Sequence, residues 1–311
     1  MLDNVKTKKH LSTGMTLTER KKDVLFSYGL LFPALAVMAL VILYPILNAI
    51  AMSFCDYTFF TVNKNPQWND FGNYKKIFDD DFSIHLWHTV LFTLGTVTLE
   101  LIIGMGIALL LNTRIRGRNA LRSLFLMPWT IPSIVTALLW SWLFQAQYGI
   151  INYVLDFFGL IQNRNMEWMQ NPDTSMLTVI IAVVWRQTPY MLVMILAGLQ
   201  SVRQDLIEAA ALDGANGAQI FWHVKIPAIK SVLGTTIITC IMSSFQQFTI
   251  IYNMTNGGPM GTTTTMSIAA YKQAFTSYDL GAGAAIGVIW LIILSVGVSI
   301  YNVKSKRFDN E

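Results

Sequence analysis

The chain has 311 residues, 53% of them hydrophobic and 13% charged, with a mean hydropathy of +0.47. These values exclude a water-soluble globule, a disordered chain and a disulfide-stapled scaffold, and the apolar residues fall in blocks too long for a globular core. The net charge of +4 informs only through its distribution, because no aromatic-interleaved basic patch suited to nucleic acid is present.

Six blocks, 26–51, 88–111, 121–145, 175–199, 232–252 and 280–301, are long and apolar enough to cross a lipid bilayer as helices. They lack the two-residue alternation of a barrel strand, so the expected fold is an all-α integral membrane protein of six spans. Residues 1–25 form a basic segment with Lys6, Lys8, Lys9, Arg20, Lys21 and Lys22. The first block holds Ala49-Ile50-Ala51 but exceeds the about 7–15 apolar residues of a signal peptide, which predicts an anchor. After it come Cys55, Trp68 and the acidic run Asp79-Asp80-Asp81. The second block carries Glu100, and Gly104 with Gly106 reads as a helix-packing pair. Trp168 lies in the loop after the third block.

The fourth block carries Arg186 beside Gln187, Thr188 and Tyr190, with Pro189 expected to loosen the helix. Glu100 and Arg186 lie at matching depths, and each costs about 2.5–3.5 kcal/mol at mid-bilayer. A salt bridge, contact with a substrate and independent water-facing positions are all compatible with that depth. Residues 200–231 are too long for a plain connector. Ser201 with Gln204 and Asn216 with Gln219 give two helix starts, and Asp213-Gly214 stops the first helix, so two short helices outside the membrane are predicted. The small surface Ala209-Ala210-Ala211 beside Glu208 suits docking into another protein better than lying on lipid.

The fifth block contributes Cys240, Ser243, Ser244, Gln246 and Gln247, and no bridge from Cys240 to Cys55 is expected. Hydroxyl-rich ligands need hydrogen-bonding groups such as those on Gln187, Tyr190, Ser243, Ser244, Gln246 and Gln247, with Trp185, Phe245 and Phe248 able to pack on a sugar ring; bonding between helices is the competing use. Asn256-Gly257-Gly258-Pro259 is a turn signal, and Gly283 with Gly287 in the sixth block reads as close helix packing. Lys and Arg number 16 in alternate segments against 5 in the others, which puts both termini, residues 112–120 and residues 200–231 in the cytoplasm and residues 303–311 in a cytoplasmic tail.

Glu208-Ala209-Ala210, Asp213-Gly214-Ala215, Phe221 and Pro227 match in spacing the EAA loop of ABC importer permeases, and on them the chain resembles that family. Val224 stands where the family usually has isoleucine, and Ser231 where a second proline is common. Arg122 to Pro128, Thr255 to Pro259 with Gly257-Gly258-Pro259, and Ala274-Phe275 with Asp279-Leu280-Gly281 resemble the carbohydrate branch. The resemblance implies a type I ABC importer permease fold over residues 26–302 in a bacterial cytoplasmic membrane. It also implies a second homologous permease, an ABC ATPase dimer that binds ATP and Mg, an extracellular or periplasmic sugar-binding protein, and an oligosaccharide or other sugar as cargo. The elbow from Glu208 to Pro227 would couple to the ATPase, and Gln187, Tyr190, Ser244 and Gln247 correspond to sugar contacts.

The sequence has no phosphate-binding G-x-x-x-x-G-K-[ST] loop, and its four histidines and two cysteines form no metal-ligand cluster, so a transport subunit without its own cofactor is expected, not an enzyme. The rival from another class is a proton-coupled secondary transporter using Glu100, which lacks an inverted repeat and leaves the elbow without a partner. A membrane scaffold is the third reading.

Overall fold

The computed structural model describes residues 17–61, 66–79, 81–113, 115–161 and 165–308. The first sixteen residues of the basic segment, Asp80 of the acidic run and the last three residues of the tail lie outside the described residues. Residues up to Ala51 form one unit and those from Met52 a second. In the first, α1 (Leu17–Met38) passes through a π-helical turn into α2 (Tyr44–Ser53). From Phe26 to Ser53 this helix spans 28 residues, about 42 Å at the α-helical rise. It is apolar all round, the composition of a helix surrounded by lipid or other helices.

The second unit opens with a two-residue antiparallel ladder that pairs Cys55 with Trp68 and Asp56 with Gln67. The Asn73 amide, on α3 (Gly72–Asp79), donates to the carbonyls of Ser53 and Cys55, at 2.9 Å each, and holds this segment in place. Next come α4 (Phe82–Leu111), α5 (Arg118–Thr130), α6 (Ser133–Leu143), α7 (Ile150–Phe157) and α8 (Pro172–Ser201). The start of α8 has the expected chemistry: Pro172 sits in the first turn and the Asn171 side chain caps the Asp173 amide. Short α9 (Gln204–Leu212), α10 (Gly217–Ile220) and α11 (Ile226–Ala228) lead to α12 (Lys230–Phe245). The chain then runs through α13 (Thr249–Thr255), α14 (Met266–Tyr271) and α15 (Leu280–Phe308).

Among the described residues four helices are long and apolar enough to cross a membrane, and six spans result when each of two bent pairs counts as one. The third and fifth blocks differ from single continuous helices. The third block is broken by 99° between α5 and α6, because Pro132 has no amide hydrogen and drives Ile131 into extended backbone (φ −79°, ψ 130°). The fifth block does not run unbroken from 232 to 252: α12 ends at Phe245 and α13 starts at Thr249. Pro189, in contrast, leaves α8 continuous over 30 residues.

The core forms where α8 packs along α4, with Phe92, Val179 and Val183 in one cluster and Leu111, Met191 and Ile195 in the next. Gly104 permits the close approach, since a Cβ there would lie 2.8 Å from Met191 Cγ. Gly283 likewise sits against Ala274, where a Cβ would come within 2.7 Å. The paired glycines Gly106 and Gly287 have no atom within 4 Å of such a Cβ, so the packing expectation holds for one glycine of each pair.

Candidate functional site

The connector after α8 folds into an elbow. Helix α9 ends with the Ala215 amide donating to the Ala210 carbonyl (3.0 Å) and the Gly214 amide to Ala211 (3.1 Å). This double closure needs a left-handed residue, and Gly214 supplies φ +85°. One residue later Asn216 and Gln219 form a reciprocal capping box at 2.9 and 2.8 Å. The other expected start fails: Ser201 Oγ donates back to the Gly198 carbonyl (2.8 Å), α8 continues through Ser201, and the N-cap position of α9 falls to Arg203, which makes no side-chain cap bond.

Glu208, Ala209, Asp213, Gly214 and Pro227 are exposed, Ala210, Ala215 and Phe221 half-exposed, and α9, α10 and α11 bury no residue. Leu212 and Trp222, which sequence reasoning passed over, add apolar surface at 90% and 63% exposure. At the elbow's end Ile229 is fully buried against α8, 3.4 Å from where a Cβ on Gly198 would lie. The helix from Gly217 to Ala228 meets α12 at 73°.

Farther along the same side of α8, the Gln187 amide donates to Ser243 Oγ (2.9 Å) on α12. Tyr190 faces Trp129 with ring centroids 6.1 Å apart. Ser243 and Gln246 are exposed and Gln247 half-buried, at the gap between α12 and α13. Thr239 and Thr235 are exposed one and two turns before Ser243, and the four-residue period of hydroxyls is the signal that would have found them. The Gln247 carbonyl, freed where the helix breaks, accepts from Ser267 Oγ (2.8 Å).

Three residues expected on this face lie elsewhere. Ser244 is 2% exposed and its Oγ has no hydrogen-bond partner, because adjacent helical positions point about 100° apart. Phe245 is buried near Trp290. Trp185 packs edge-on to Trp140 (5.8 Å) and lines an apolar cavity of about 520 Å³ between α4, α5 and α8.

Of the three readings open for Glu100 and Arg186, the ion pair does not form. Glu100 is 1% exposed with neither carboxyl oxygen hydrogen-bonded, and its polar neighbour is the Cys240 thiol of α12. Arg186 turns to the break in the third span, where Nε donates to the Ile131 carbonyl (3.1 Å). Equal depth fixes height along two helices but not which way each side chain faces.

At the far end from the elbow, Gly257 (φ +80°) and Gly258-Pro259 make a turn that is stapled from within. Thr264 Oγ1 donates to the Gly257 carbonyl (2.8 Å), Thr263 Oγ1 to Gly258 (2.9 Å), and Thr262 Oγ1 to Pro259 (2.8 Å). The Thr262-Thr263-Thr264-Thr265 run was legible as composition, though its inward bonding was not. Thr89 Oγ1 accepts the Met266 amide (2.9 Å) and Ser175 bonds Thr262 (2.9 Å), which ties the turn to α4 and α8. Lys272 Nζ lies 2.9 Å from where a Gly257 Cβ would stand, and burial holds its ammonium below the ordinary lysine range. Of the two loop tryptophans, Trp68 is exposed and stacked on Phe54, whereas Trp168 donates to Asn152 and packs on the core. Both cysteines are free, and the described residues hold no group of three or more potential metal ligands.

Residues 100–310 match the family described as binding-protein-dependent transport system inner membrane component. The trehalose/maltose transport system permease protein MalF of Thermococcus litoralis is 32% identical over 303 residues, 97% of this chain and 100% of that protein. The sulfoquinovosyl glycerol transport system permease protein SmoG of Agrobacterium fabrum is 32% identical over 280 residues, 90% of each chain. A bacterial ABC transporter that imports the acidic polysaccharide alginate contains a chain of the same fold, with a TM-score of 0.79, 20% identity, and coverage of 93% of this chain and 98% of that one.

Proposed function

The chain belongs to the family of binding-protein-dependent transport system inner membrane components, and from that premise we propose that it is one permease half of an ATP-driven sugar importer. A second, homologous permease completes the translocation path, an ATPase dimer binds ATP and Mg on the cytoplasmic side, and a binding protein delivers sugar to the outer side. The observation that carries this reading is the elbow: an exposed two-helix hook with apolar Leu212 and Trp222, anchored by buried Ile229 to the spans. A surface of that kind on a chain without a phosphate-binding loop of its own supports coupling to a separate ATPase.

With both termini and the elbow in the cytoplasm, as the 16 to 5 distribution of Lys and Arg favours, the threonine-stapled turn at Gly257-Gly258-Pro259 faces outward toward the binding protein. Gln187, Tyr190, Ser243 and Gln246 then line this chain's half of the sugar path. ATP binding draws the ATPase subunits together, moves the elbow, and shifts the bundle toward the state open to the outside; hydrolysis returns it.

The test is reconstitution of the importer in proteoliposomes with its ATPase and binding protein. ATP-dependent uptake of a labelled sugar is expected, together with a crosslink between a cysteine placed at Ala210 and the ATPase. Uptake that runs on a pH gradient with the ATPase removed would overturn the reading.

A further inference from the structure

Resting on the proposed sugar path, we propose that the cargo is an anionic sugar, bearing a carboxylate or sulfonate, and that Arg186 meets that charge within the membrane. The face shared by α8 and α12 is built of neutral hydrogen-bonding groups: Gln187, Tyr190, Thr239, Ser243 and Gln246. Arg186, half-exposed and one position before Gln187 on α8, points to the break at Ile131 and is the one formally charged side chain of α8 after Asp173. A guanidinium at this depth costs about 2.5–3.5 kcal/mol when nothing compensates it.

Among the described residues nothing does so fully. Nε–H bonds the Ile131 carbonyl (3.1 Å), but the two terminal nitrogens have no hydrogen-bond partner and no carboxylate pairs with the group. Glu100, the other charge within the spans, lies buried beside Cys240 and is not bonded to it.

The single Nε bond also fixes the direction of the planar fork. Anchored at one edge, the guanidinium keeps its terminal donors for a second partner and loses little further freedom in binding it. Two parallel N–H donors match the spacing of two oxygens on a carboxylate or sulfonate. The Trp129–Tyr190 ring pair, on the same side of the break in the third span, offers an apolar wall for the sugar ring that carries the charge.

The test uses the complete importer in proteoliposomes with radiolabelled oligogalacturonate, a sulfonated hexose glycoside, carboxyl-reduced oligogalacturonate and maltotriose. ATP-dependent uptake of an acidic probe is expected. Arg186→Gln should lower it at least tenfold, mainly by raising KM, while Arg186→Lys, which keeps the charge, should retain most of it. Import of neutral probes without any acidic one overturns the anionic cargo and leaves the sugar-importer reading standing; import of no sugar at all removes that reading as well. Equal loss of acidic and neutral uptake in Arg186→Gln also overturns the proposal, since it would mark Arg186 as a clamp for the broken span.

Discussion

Gly257 shows how much one position can carry. Its φ of +80° favours glycine, and an added Cβ would lie 2.7 Å from Thr264 Oγ1 and 2.9 Å from Ile268. Gly257→Ala is expected to cost about 1–3 kcal/mol, visible as a lower thermal midpoint of the purified complex. Gly258→Ala should cost less, because its φ is not left-handed and the closest atom would stand at 3.2 Å. The intramembrane charges give a second prediction. With Glu100 facing α12 and Arg186 facing Ile131, Glu100→Gln and Arg186→Gln should act independently. Their stability costs should add within about 0.5 kcal/mol, and rescue of one substitution by the other would restore the ion pair that the structure rules out.

At the scale of elements, the elbow depends on two local devices, and both were legible in sequence: the Asp213-Gly214 stop and the Asn216–Gln219 capping box. Asn216→Ala removes the cap and should cost about 1 kcal/mol of elbow stability, read as faster hydrogen exchange in residues 217–220. Gly214→Pro is harsher, because proline's φ near −65° cannot reach +85°. It should abolish transport while the chain stays in the membrane; normal uptake would show that the elbow's angle does not matter. The Ser201–Gln204 start was misread because a serine hydroxyl can serve its own helix as readily as cap the next one. Breaks in spans were harder still. Pro132 signals a restricted Ile131, but that the Ile131 carbonyl at the 99° bend meets Arg186, a side chain 55 residues away, is not a local feature.

For the whole molecule, the question is which surfaces wait for other chains. Leu212 and Trp222 stand at 90% and 63% exposure on a segment that buries almost nothing of its own. Leu212→Asp and Trp222→Ala should therefore reduce co-purification of the ATPase several-fold without lowering the amount of this chain in the membrane. Unchanged co-purification would move the docking surface elsewhere.

Sequence alone determined the membrane class, the elbow's helix stop and cap, and the turn at Gly257, because each follows from block length or local backbone rules that act over a few residues. Tertiary structure alone decided which faces turn where: Ser243 toward the open face and Ser244 into the core, Glu100 toward Cys240, Arg186 toward the break at Ile131, and the threonines inward to hold the turn at Gly257. Hydropathy records how deep a residue lies in a bilayer, whereas the side a helix presents is set by the neighbours it packs against, and those are distant in sequence.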